Sequence, residues 1–168
     1  MAELLPQERL QPSLLDRLTD DQPQSREESR EKRVLNLTQL RAGVLRDIGW
    51  LLNTVHLQAS QDISAHDQVL SSCVNFGIPD IAGSSAAGRS AEVLQRAVRR
   101  AILDFEPRIL ANSLKVTVQI QPEQMSRNAM TFVIEGELWA QPVPLRLFLK
   151  TEVDLETGAV TVADAPRG

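Results

Sequence analysis

The carboxylates are the side chains of this chain with the most chemistry to offer. Glu106, Glu135, Glu137 and Glu152 could supply the acid and base of a glycosidase pair. Glu135 and Glu137, however, stand two apart in an alternating stretch, so they share one face of a strand and read as its wet face. His56 and His66 lie in polar context without companions. A zinc site needs about four ligands at recognisable spacings, and neither histidine has them. Cys73 falls on the apolar side of a short helix and reads as a small buried hydrophobe, not as a nucleophile. The chain has no glycine-rich loop with a lysine, no nucleophile elbow and no dinucleotide fingerprint. These residues lead to no catalytic residue, no metal ligand and no cofactor.

One further enzymatic pattern can be tested directly. A phage-type lysozyme would place Asp or Cys nine residues after its glutamate and Thr six beyond that. Glu106 meets Lys115, Glu135 meets Pro144 and Glu137 meets Arg146, so the pattern fails at its first step.

What remains is a corner. Leu94, Ala97, Val98, Ala101, Ile102 and Phe105 recur at three- and four-residue steps and predict an amphipathic helix, with Ser90 as its N-cap. Pro107 ends it, because proline lacks an amide proton and its ring pushes Glu106 out of the α region. Pro107 also suits the first position of a short second helical turn through Ile109 and Leu110. Glu106 and Arg108 are thereby displayed as opposite charges at a fixed corner, either a docking feature or a structural clip. Arg96, Arg99 and Arg100 on the preceding helix form a solvated face or a partner-facing patch.

The other elements follow from periodicity. Leu37, Leu40, Val44, Ile48, Leu51 and Val55 make a second helical stripe, with Asn36 as a possible cap and Arg41 and Asp47 turned outward. Gly43 and Gly49 weaken that helix by about 1 kcal/mol each relative to Ala. A third helix is predicted from His66 through Cys73 and Val74, stopping at Gly77, and Ala82 to Gly88 reads as a loop. After Ser113 the period changes to two. Val116 to Ile120, Met130 to Leu138 and Val143 to Val153 alternate as strands with one buried face each. Glu156-Thr157-Gly158 makes a hairpin turn before Val160 and Val162. The predicted fold is α+β, with N-terminal helices packed on one face of a mostly antiparallel meander of about four strands.

Residues 1–33 carry a leucine motif, Leu14, Leu15 and Leu18 on one helical face, followed by a stretch from Thr19 to Arg33 too polar to bury surface. They read as a motif and charged linker, and residues 34–165 as one α+β domain. The motif either docks on a partner or folds back on its own domain. A net charge of -4 argues against wrapping nucleic acid. No apolar run is long enough to span a membrane, no signal peptide is evident, and a single cysteine fits a reducing, cytoplasmic compartment.

Several stretches together resemble one family. They are Ser13 to Leu18, Leu40 to Asn53, Val74 to Asp80, Phe105 to Arg108 and Gly136 to Ala140, in that order. The set is similar to TssE, the type VI secretion baseplate subunit, related to a contractile-tail phage baseplate wedge protein once labelled a lysozyme. The resemblance implies a non-enzymatic assembly role beside TssF, TssG and TssK, at an inner-membrane-docked baseplate on which the TssB–TssC sheath begins to polymerise. It implies protein-binding roles for Glu106, Pro107 and Arg108, which match the family's Glu-Pro-Arg motif, and for Leu14, Leu15 and Leu18. It departs at Phe76, where the family often has Tyr, so a hydroxyl contact is lost. A sheet edge receiving sheath strands is the expected mode of attachment. The competing readings are a wedge subunit of a phage-like tail and a peptidoglycan hydrolase.

Overall fold

The computed structural model describes residues 13–19, 24, 37–82, 89–119, 129–140 and 144–165. Among these residues four α-helices precede four strands: α1 Leu14–Leu18, α2 Leu37–Leu52, α3 Asp67–Leu70 and α4 Arg89–Phe105, then β1 Lys115–Gln119, β2 Ala129–Leu138, β3 Leu145–Asp154 and β4 Val160–Asp164. The strands form one antiparallel sheet in the order β1-β2-β3-β4. The fold is α+β, as the change of period from helical to alternating predicts.

One sheet face carries the core. Val116, Phe132, Ile134, Leu149 and Val153 pack with Leu40, Val44, Ile48 and Leu51 of α2 and with Leu94, Val98 and Ile102 of α4. Burying each large aliphatic side chain is worth about 1.5–3 kcal/mol. Four such residues on α2 therefore outweigh Gly43 and Gly49. Asp154 shapes the last hairpin: its carboxylate accepts from the amides of Glu156 (2.8 Å) and Thr157 (3.2 Å), and Gly158 takes φ +77°. Those two backbone bonds hold the Asp154 carboxyl below its ordinary pKa.

Several expectations change. Helix α4 already begins at Arg89, so Ser90 lies inside it and does not precede it as a cap. Beyond Pro107 the expected short turn does form, closed by the Ile109 amide on the Glu106 carbonyl at 3.2 Å, and it is not continued as a helix. The chain extends at once because Ile109 bridges Leu138 of β2. The third helix is only α3, followed by a separate 3-10 turn, Cys73–Asn75. That break turns Cys73 to solvent, contrary to its expected burial. Val55 lies past the end of α2 and is exposed, spent on a parallel bridge to Ile78. The strand β2 is buried on both faces over its first half: Thr131 and Val133, on the side away from the helices, are as enclosed as Phe132. A central strand with neighbours on both sides loses exposure that alternation alone assigns to it. Asn36, Ile120, Val143 and most of the loop at 82–88 lie outside the described residues.

Candidate functional site

The corner at Glu106–Arg108 is held by charge. The Glu106 amide still donates to the Ile102 carbonyl (2.9 Å), so the last turn of α4 carries its side chain under the following loop, where it is 3% exposed. Arg108 folds back on it. Its amide and Nε donate to Glu106 Oε1 at 3.2 and 2.7 Å, and Nη2 donates to Oε2. Pro107 makes this reversal possible by fixing φ between the two charges, and it is the exposed member of the three. The sequence leaves clip and docking feature open. Geometrically the pair is a clip, with its carboxylate buried and not displayed.

Arg108 does more than pair locally. Its Nη2 also donates to Asp47 Oδ2 of α2 at 2.5 Å. Asp47 is thus turned inward, not outward, because a guanidinium from the corner waits beside it. Arg46 donates from Nε to Asp47 Oδ1 (2.9 Å), with Nη2 held at 2.8 Å as an ion pair without a hydrogen bond. Arg46 Nη1 then donates to Asp16 Oδ1 of α1 at 2.5 Å. The result is a run of alternating charges, Asp16, Arg46, Asp47, Arg108, Glu106, that joins the N-terminal motif to the corner. Gly43 lies beneath it: a Cβ there would sit 3.6 Å from both Arg108 Nη1 and Asp16 Oδ2. Both are ordinary van der Waals distances, so a side chain as small as alanine fits here and the packing does not demand the glycine.

These contacts set protonation. Burial of Arg108 disfavours its charge, but the Glu106 carboxylate and then Asp47 more than offset it, so its pKa lies above the ordinary arginine value. The hydrogen bond from Arg46 holds the Asp16 carboxyl below its usual 3.8, against partial desolvation and with help from Ser13.

Beside the run lies an apolar groove of about 530 Å³. Leu15, Trp50, Phe76, Phe105 and Pro107 line it, with Asp47, Glu106 and Arg108 as its charged wall. Phe76 and Phe105 meet edge to face, centroids 5.3 Å apart, and Arg46 lies 5.0 Å over the ring of half-exposed Trp50. Helix α1 is too short to persist alone. Ser13 caps it, accepting from the Asp16 amide at 3.3 Å, and Asp16 ties it to α2. Its leucines face outward: Leu14 is 71% exposed, Leu18 74% and Leu15 45%. The segment folds back onto its own domain through charge while its leucines stay available. The structure thus brings Glu106, Pro107, Arg108 and Leu15 to one groove, with Leu14 and Leu18 on the adjoining helix.

A pH prediction arises here. A carboxyl with a lowered folded pKa contributes stability above its unfolded value and loses it as pH falls through the folded one. Helix α1 should therefore stay docked at neutral pH and detach as acid titrates Asp16 from about 3.8 downward. Asp16→Asn should release it at pH 7 at a global cost of about 1 kcal/mol or less. Amide chemical shifts of Leu14–Leu18 report either event; unchanged shifts in the Asn variant would refute the charge tether.

Sequence reasoning misses Asp47, Arg46, Asp16 and Trp50 as members of this site. No local signal on α2 sets Asp47 apart, because its partner Arg108 lies sixty-one positions away. Arg96 and Arg99 are exposed on α4, and Arg100 pairs with Asp104 at 2.7 Å. They do not join the groove's lining.

Residues 38–143 match the family described as baseplate wedge protein gp25. That places the chain among the structural subunits of phage-like tail baseplates. The chain belongs to the gp25 baseplate wedge family, in agreement with the resemblance carried by its motifs. A crystal structure of a Geobacter sulfurreducens protein, provisionally called a tail lysozyme, is similar over 80% of this chain and 99% of its own, with 15% identity and a TM-score of 0.45. That likeness is too distant to carry an argument. No curated protein matches the chain.

Proposed function

We propose that this chain is the gp25-family subunit of a type VI secretion baseplate, where it joins the TssF, TssG and TssK wedge to the TssB–TssC sheath and starts sheath polymerisation. Its place of work is the cytoplasmic side of an inner-membrane-docked baseplate. The observation that carries this reading is the groove beside the clip. A rigid, ion-paired wall stands next to exposed Leu14, Leu15, Leu18 and Trp50, which is the composition of a surface that receives a partner chain. The Ser13–Leu18 motif, which is part of the secretion-type resemblance, lies against that surface through Asp16. Here the clip shapes the docking surface, and the leucines, Trp50 and Pro107 touch the partner.

The test is affinity capture of the tagged chain from a host expressing the apparatus. Wild type should recover TssF, TssG and TssK together with TssB and TssC. A Leu14→Ala, Leu15→Ala, Leu18→Ala variant, which alters only exposed side chains, should keep its melting temperature and lose the wedge subunits at least tenfold. Failure of wild type to recover either set would overturn the assembly reading. A cell-wall clearing assay on the same preparation should give no clearing.

A further inference from the structure

Helix α4 commits one side to the core, where Ala91, Leu94, Val98, Ala101 and Ile102 are buried, and β1 and α2 pack on it there. Its other side runs the length of a 17-residue helix, about 25 Å. Down that outer side Val93, Arg96, Arg100 and Leu103 follow at steps of three, four and three residues, so they form one line. Val93 is 55% exposed, both arginines are exposed, and Leu103 is half-buried, with part of its side chain against the core. Exposed Arg99 stands one turn from Arg96. The line is apolar at both ends and basic in the middle.

The basic middle is costly to the isolated helix. Arg96 is a same-sign neighbour of both Arg99 and Arg100, an arrangement that destabilises a helix on its own. Among the described residues Arg96 and Arg99 make no hydrogen bond or ion pair. Arg100 bonds through Nε to Asp104 at 2.7 Å, and its side chain stays 72% exposed. Glu92 lies in the first turn, where the helix dipole favours an acid, and does not pair with Arg96. Elsewhere the fold does provide partners: Arg41, Arg46 and Arg108 are each tied to a carboxylate of another element. The chain has 22 acidic residues against 18 basic ones, so the arginines of α4 are not left over for want of carboxylates. They form a basic surface on an acidic protein.

We infer that the outer side of α4 docks an acidic helix of another protein, which sets carboxylates against Arg96, Arg99 and Arg100 and an apolar side chain against Val93 and Leu103. A helix fits because the line is spaced by helical turns. Packed at about 8–10 Å, a second helix brings side chains of the same rise against it. Carboxylates suit guanidinium groups, which hold them by paired hydrogen bonds. The arginines select and align the partner, and the apolar ends supply burial. A nucleic-acid backbone would use the arginines and leave both apolar ends idle. None of these residues lines the groove at the corner, so the two surfaces are distinct.

The test places a photo-crosslinking benzoylphenylalanine at Val93, apolar for apolar, in the full chain in its host, and maps the joined residue by mass spectrometry. The expected product is a protein segment whose carboxylates recur at three- or four-residue steps. Arg96→Glu with Arg100→Glu should lower the crosslink yield about tenfold, and lysines in place of the mapped carboxylates should restore it. Should the reversed chain fail to fold, Arg96→Gln with Arg99→Gln removes the same-sign neighbours without adding an acid. That variant should keep the wild-type melting temperature and still lose yield about fivefold. A crosslink to nucleic acid or to a segment without carboxylates, or no crosslink at all, would overturn the proposal. So would a yield that the arginine variants leave unchanged, or a loss that the lysines do not restore.

Discussion

Replacing Arg108 with alanine should cost this protein about 3–5 kcal/mol, the range for breaking a buried ion pair from one side. The reason is Glu106, which is 3% exposed and takes three donors from Arg108, counting its amide. Alanine keeps the amide but leaves the carboxylate without its guanidinium, and it frees Asp47 Oδ2 as well. Melting temperature should fall on the order of 10 °C for a domain of this size. A simple docking role, with the domain left fully stable, is the competing outcome, and an unchanged melting curve would establish it. Glu106→Gln combined with Arg108→Ala should be more stable than Arg108→Ala alone, because the double variant has no orphaned charge. That inversion is the signature of a clip; additive losses would contradict it. Because the folded pKa of Arg108 lies above its ordinary value, its contribution is fully present below that value and does not fade at any physiological pH.

Much of the frame was legible from alternation and helical period, because both record which side of an element is dry. The antiparallel meander, the two long helices and the turn at Gly158 are all local signals of that kind. The site was legible only in part. Glu106, Pro107 and Arg108 are neighbours in sequence, so their corner could be read. Asp47 lies sixty-one positions from Arg108, and nothing local to an amphipathic helix tells an acid that meets water from one that meets a distant guanidinium. Cys73 failed for a related reason. Its apolar neighbours suggested a continued helix, but the chain breaks after Leu70 so that Asn75 can turn inward, accepting from Gln58 N at 3.0 Å and donating to Leu70 O at 2.9 Å. A buried, satisfied asparagine fixed the loop at the expense of the helical period.

Gly77 is where that loop is most constrained, and Gly77→Ala should be the second severe substitution. Its φ is +127°, a conformation that side chains rarely adopt, and an added Cβ would lie 2.3 Å from Thr54 O and 2.9 Å from His56 N. Both atoms are backbone, so no rotamer change relieves the overlap. The strain alone costs about 1–3 kcal/mol. The chain must also give up bonds that hold the loop to the end of α2, Ile78 N to Thr54 O (2.9 Å) and His56 N to Ile78 O (3.0 Å). A total of about 4 kcal/mol is expected, with exchange of the His56 and Ile78 amides accelerating before the sheet melts. The consequence reaches the groove, because Phe76 immediately precedes Gly77 and its ring forms the floor with Phe105. A variant that stays folded should therefore still bind the wedge more weakly than wild type, although no residue that touches the partner has changed. If its melting temperature fell while wedge capture, measured well below the transition, stayed at the wild-type level, the loop would be a support for stability only, and the groove floor would have no part in docking.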